Sequence, residues 1–156
     1  MASTSMDWDE NLSTAENARG GLAPLVEDWF TRGRELAAGD GSGRAFHSFR
    51  LRTKRLRYTL EMFRPFYGPR LDEYLAALRQ VQTRLGELND CAVTRKLLPA
   101  ESPQRARVDQ FLERRERALR TGFRKAWKEV DQPGEDARWM AYLGRSWKAN
   151  RAAEAG

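Results

Sequence analysis

Proline and glycine cut this chain into five segments, and that punctuation constrains the fold more than any other feature of the sequence. None of the segments shows the apolar–polar alternation of a strand, whereas all carry apolar residues at helical spacing. The first helix is expected from about Leu22 to Ala38, with Pro24 in its first turn and Gly39 at its end. GDGSG then makes a flexible joint. A second helix is expected from Arg44 to Arg64, because Pro65 disfavours helical geometry in the residue before it. After the YGP turn a third runs from Arg70 to Leu98. Ser102 and Pro103 read as an N-cap and first-turn proline opening a fourth helix to Val130. PG at 133–134 precedes a short last helix containing Trp139 and Trp147. The expected fold class is all-α, an antiparallel bundle of four to five helices joined by short connections.

A length of 156 residues suits one domain. Its charge is uneven. Residues 1–18 contain four acids and no base, so the remainder carries a net +10 against +6 overall. This divides the chain into an acidic leader, expected to be mobile over residues 1–20, and one helical domain over 21–152. So basic a body expects an acidic partner: nucleic acid, an anionic membrane or a polyphosphate. Cys91 is the only cysteine, which precludes an intrachain disulfide and favours a cytoplasmic address. No stretch reads as a membrane span or a secretory signal.

The run HSFRLRTKRLRY, residues 47–58, holds most of the puzzle. At about 100° per residue, His47, Arg50, Lys54 and Arg57 fall within an arc of about 80°, while Phe49, Leu56, Leu60 and Phe63 gather opposite them. The stripe is about 15 Å long, enough to follow several anionic units in a row. Glu61 lies one turn beyond Arg57, where it can hold the guanidinium in place. An ordinary solvated face is the alternative reading; a face meant only for solubility would normally mix its signs, and four cations on one arc tilt the balance towards function.

The fourth helix adds an anomaly. Its apolar stripe reads Val108, Phe111, Leu112, Leu119, Ala126 and Val130, with Arg115 in the middle. An inward arginine must meet a carboxylate, for which Asp90 is a candidate, or line a cleft that admits an anion. Gly122 on the same face would permit close approach. Arg114, Arg117, Arg120, Arg124 and Lys128 fall on the far face, where solvent accounts for them. In the third helix, Gln82, Asn89 and Lys96 interrupt a stripe of Leu71, Tyr74, Leu75, Leu78, Leu85 and Val93. The two amides read as satisfying polar neighbours, and Lys96 as a ligand contact.

Catalytic and cofactor signals are missing. One histidine precludes multi-histidine metal patterns, and Glu87 with Asp90 reads as a pair of surface acids. Cys91 has the surroundings of a packed thiol. GDGSGR lacks both the preceding strand and the GK[ST] of a phosphate loop. No cofactor is expected and the chain reads as a non-enzyme. Base-stacking aromatics are also sparse near the basic stripe, where only Tyr58 lies, so a polyanion with charge but no bases fits better than nucleic acid.

The residues resemble the CHAD domain, named for a conserved histidine in an α-helical domain. The resemblance begins with His47, Arg50, Lys54, Arg55, Arg57, Tyr58, Glu61 and Phe63 in the pattern H-x-x-R-x-x-x-K-R-x-R-Y-x-x-E-x-F. It continues with Leu78, Gln82, Leu85, Gly86, Asn89 and Asp90, and then with FLERRERALRTGFRKAW on the fourth helix. Together these span about residues 44–130.

This resemblance implies a helical bundle that binds inorganic polyphosphate in a basic groove without turnover. His47, Arg50, Lys54, Arg57, Arg115 and Lys96 would contact phosphate, with Tyr58, Glu61, Gln82, Asn89 and Asp90 supporting them. Typical members face two helical halves across the groove, whereas this chain has one, and its LGELND resembles the second half. It is therefore expected to act as a short form that pairs with a second copy. Its expected address is the cytoplasm, at polyphosphate granules, with nucleic acid as the lesser alternative partner.

Overall fold

A computed structural model describes residues 6–39 and 41–145 of the chain. The described residues contain five α-helices and no strand: α1 (Thr14–Ala38), α2 (Gly43–Phe63), α3 (Arg70–Leu97), α4 (Arg105–Val130) and α5 (Glu135–Leu143). A single 3₁₀ turn, Arg64–Phe66, follows α2. The all-α expectation holds. Helices α1 to α4 pack as successive antiparallel neighbours, and α5 lies on α1.

The boundaries depart from expectation at the starts of two helices, α1 and α4. α1 begins at Thr14, not Leu22, so the supposed leader over residues 1–20 is partly helix. Ser13 accepts from the Glu16 N–H while Glu16 accepts from the Ser13 N–H, a reciprocal capping box that starts the helix early. Asn17 is then buried, its amide bonded to the carbonyls of Asp9, Leu12 and Ser13. Pro24 consequently lies inside the helix. Its missing N–H deprives the Gly20 carbonyl of its helical partner, and Gly20 is exposed, so that carbonyl is open to solvent.

The fourth helix opens at Arg105, with Gln104 at its cap and no side-chain capping bond, so Ser102 is not its N-cap. Gly134, at φ 81°, supplies the left-handed residue that begins α5. Trp147 lies outside the described residues.

An aromatic cluster holds the helices together. The Trp29 ring centroid is 4.9 Å from that of Trp127 and 5.7 Å from that of Trp139, joining α1 to α4 and α5. Its indole N–H donates to Thr53 Oγ1 at 2.9 Å, which satisfies the only polar atom of a fully buried ring. A Cβ on Gly33 would overlap the six-membered ring of Trp127, so glycine is what lets α1 and α4 approach here. At the other end, Tyr67 donates to the Leu143 carbonyl at 2.6 Å, and the Tyr142 hydroxyl bridges the N–H and carbonyl of Gly68. These bonds fasten α5 to the α2–α3 turn.

Phe123 and Trp127 also correct the reading of α4. They enter the core with Leu112, Ala126 and Val130, and their size turns the helix so that Phe111 is 55% exposed. Arg115 rotates out with it and is exposed. It is not an inward arginine. Gly122 permits no close approach, since a Cβ there would meet nothing within 4 Å.

Candidate functional site: a cationic cleft between three helices

A cleft of about 590 Å³ opens where the start of α2, the last turns of α3 and the middle of α4 converge. Its floor is apolar, formed by Phe46, Leu85 and Leu88. Arg44, His47, Arg50, Arg95, Lys96 and Arg120 supply the cations of its wall. Against them, Glu116 is the one carboxylate among the described residues lining the cleft. Placing five permanently charged groups and an imidazole around an apolar floor leaves a strong positive field in a partly dehydrated space, where it acts more strongly than in bulk water.

Helix periodicity brings the α2 contribution together, as the opposite arc of Phe46, Phe49, Leu56, Leu60 and Phe63 is buried. Arg50 is the most telling member. Its Nε is buried without a hydrogen-bond partner, and no acid among the described residues pairs with its guanidinium. A dehydrated, unpaired guanidinium N–H is costly to maintain and is relieved by an anion.

His47 is exposed, with Nδ1 3.1 Å from Asn89 Oδ1. An amide oxygen can only accept, so Nδ1 carries the proton and Nε2 remains for a ligand. Neutral Nε2 is an acceptor. Only the doubly protonated ring offers a second N–H to an anion.

Farther along α2, Arg57 is fixed on three sides. Its Nε donates to Gln82 at 2.9 Å, its Nη1 donates to Glu61 at 2.6 Å, and its guanidinium carbon sits 4.4 Å from the Tyr58 ring centroid. Glu61 also receives Arg79 at 3.3 Å. The inward amides of α3 thus orient the two ends of the α2 stripe, Asn89 at His47 and Gln82 at Arg57. Lys54 lies between them, outside the cleft and with no ion-pair partner among the described residues.

Not every expected residue joins this site. Arg115 does not line the cleft; it stands beside the Cys91 thiol and forms no ion pair with Asp90. Asp90 is exposed and does not line the cleft. Cys91 itself is buried and free, its thiol pushed up by burial and by the Glu116 carboxylate, as a packed thiol should be. Arg44, Arg95 and Arg120 are the lining residues that sequence reading missed. Arg120 appeared to belong to the solvated face of α4, and only the rotation imposed by Phe123 and Trp127 brings it inward, with its guanidinium 5.0 Å from the Phe46 ring centroid.

A model of the CHAD domain matches residues 4–99, more than half of the chain. This chain belongs to the CHAD family. The match covers α1, α2 and α3, hence His47, Arg50, Lys54, Arg57, Gln82, Asn89 and Lys96, and ends before α4. CHAD domains are binding domains associated with polyphosphate. No curated protein and no solved structure shows a significant match to the chain. Among its described residues, no helix is long and apolar enough to cross a membrane, and no group of acids, histidine and cysteine has a metal-binding arrangement.

Proposed function

We propose that this CHAD protein binds inorganic polyphosphate in the cleft between α2, α3 and α4, without turnover. The observation that carries the reading is the unpaired, partly dehydrated Arg50 guanidinium in a cleft walled by five permanent cations and one carboxylate. Arginines Arg44, Arg50 and Arg120 offer planar donor pairs to phosphoryl oxygens, and Lys96 offers a mobile point charge. Lys54 and Arg57 extend the field along α2, with Arg57 held by Glu61 and Gln82 and acting mainly through its charge. His47 presents its Nε2 towards the ligand from the edge of the cleft. Salt weakens binding, because neutralisation of charge dominates.

Calorimetric titration with long-chain polyphosphate at physiological salt tests the proposal. Wild type should bind, and Arg50→Ala with Lys96→Ala and Arg120→Ala, all three lining the cleft, should abolish binding while the fold survives. Binding that persists in that variant would remove the cleft from consideration. Release of orthophosphate from the polymer would overturn the non-enzymatic part.

Nucleic acid is the second reading, favoured only by the charge. The aromatic residue in the cleft, Phe46, is buried in its floor, leaving no platform for a base. Single-stranded nucleic acid should therefore compete poorly with polyphosphate at fixed salt.

The described helices offer one wall of a groove, and a second copy would supply a facing wall. Leu51, Tyr58 and Met62 support this, because all three are exposed on α2 at intervals of seven and four residues, beside the basic stripe. Mass measurement in solution should find a dimer; a monomer that binds polyphosphate tightly would exclude the pairing. Cytoplasmic residence at polyphosphate granules follows from the same reading, and localisation of a fluorescent fusion against a polyphosphate stain tests it.

A further inference from the structure

Arg120 also borders a second concavity. This hollow, of about 540 Å³, lies along the outer face of α4 and is lined by Glu113, Glu116, Arg117, Arg120, Thr121 and Arg124. The two concavities share Glu116 and Arg120, so they adjoin across these two side chains. Arg117, Arg120 and Arg124 recur at intervals of three and four residues, which places them on one face over about 10 Å. Arg117 has no ion-pair partner among the described residues. Arg124 reaches the Gly39 carbonyl at 3.3 Å, which holds it near the end of α1. Of the two acids lining this hollow, Glu116 is occupied by Arg95 at 2.8 Å, which leaves Glu113 as the acid facing Arg117 and Arg120.

We infer that a polyphosphate chain filling the cleft leaves it past Arg120 and crosses α4 along Arg117 and Arg124, so that the protein selects long chains over short ones. The inference rests on the polyphosphate reading of the cleft and adds a second arm to it. A linear anion with a charge on every unit suits such a track, since its charges repeat along a flexible backbone and need no shaped pocket at each step. Arg120 stands at the junction and serves both arms. A chain short enough to be contained by the cleft engages Arg44, Arg50 and Lys96 but gains nothing from Arg117 or Arg124.

Titrations with tripolyphosphate and with long-chain polyphosphate, on the same protein preparations, separate the two arms. Arg117→Gln with Arg124→Gln should weaken the long chain about tenfold, the effect of losing two exposed ion pairs, and change tripolyphosphate by less than twofold. Arg120→Gln should weaken both ligands. A double variant with the same charge loss elsewhere on α4, Arg114→Gln with Lys125→Gln, controls for the general field and should show no such ligand dependence. Thermal melting of each variant confirms that the bundle is intact.

Equal losses in the two double variants would overturn the arm, as would an equal loss of both ligands in Arg117→Gln with Arg124→Gln. If wild type binds both ligands and Arg50→Gln weakens both, but the α4 variants do not discriminate, the second arm alone falls. If wild type binds neither, the arm and the polyphosphate reading fall together.

Discussion

Arg95 Nη1 lies 2.8 Å from Glu116 Oε1 across the seam between α3 and α4, and both residues line the cationic cleft. Asp109 stands a further 3.6 Å from Arg95 Nε. The pair fastens the mouth of the cleft and also places its single carboxylate where an incoming anion must pass.

Replacing Glu116 with glutamine keeps the shape of the side chain and removes its charge. Polyphosphate should then bind two- to fivefold more tightly, the effect of relieving ~0.5–1 kcal/mol of repulsion and releasing Arg95. Isothermal calorimetry reads this directly. Weaker binding would mean that Arg95 must be oriented by Glu116 to take part.

Arg50 and Arg57 share the stripe but should fail differently when changed. Arg50→Gln removes an unpaired guanidinium and should cost binding while leaving the melting temperature nearly unaltered. Arg57→Gln leaves Glu61 with Arg79 alone and Gln82 without its donor, and should cost about 1 kcal/mol of stability, with a smaller effect on binding. Chemical denaturation beside ligand titration distinguishes the two. A reversal of the pattern would transfer the binding role to Arg57.

Alkali should loosen the end of the bundle remote from the cleft. Burial pushes the phenols of Tyr67 and Tyr74 from the ordinary 10.0 up to about 12. The folded chain therefore holds these protons more tightly than the unfolded chain. The resulting stability is complete below pH 10 and is lost progressively as pH rises from there through about 12. Tyrosinate absorbance should rise with loss of helicity, and Tyr67→Phe should reduce the alkaline sensitivity. Tyrosines that titrate normally in the folded protein would contradict the burial.

Gly33→Ala should lower stability by about 1–3 kcal/mol, because the added methyl overlaps the Trp127 ring and neither helix can retreat without disturbing Trp29. Guanidinium denaturation with tryptophan fluorescence follows both effects. An unchanged midpoint would show that Trp127 has another rotamer available at no cost.

The helical class, the five segments and the basic arc of α2 were legible because periodicity and proline punctuation act locally. The amide supports were legible in kind: Gln82 and Asn89 were expected to satisfy polar neighbours, and they meet Arg57 and His47. The orientation of α4 was not. A wheel drawn from its aliphatic residues points Arg115 inward, whereas the volumes of Phe123 and Trp127 and the gap left by Gly33 decide the real rotation. That choice depends on a glycine some ninety residues away, and no window of sequence contains both. The early start of α1 was within reach, since Ser13 and Glu16 spell a capping box; Gly20, Gly21 and Pro24 disguised it.

The family match ends at residue 99, but the hydrophobic interior does not. Trp29 belongs to the matched portion, while the two indoles against it, Trp127 and Trp139, come from the unmatched remainder. An expression fragment cut at the edge of the match would leave that ring facing solvent and discard Arg120 with it. Such a truncation should be captured by chaperones or precipitate, and its failure to bind any ligand would say nothing about the intact protein.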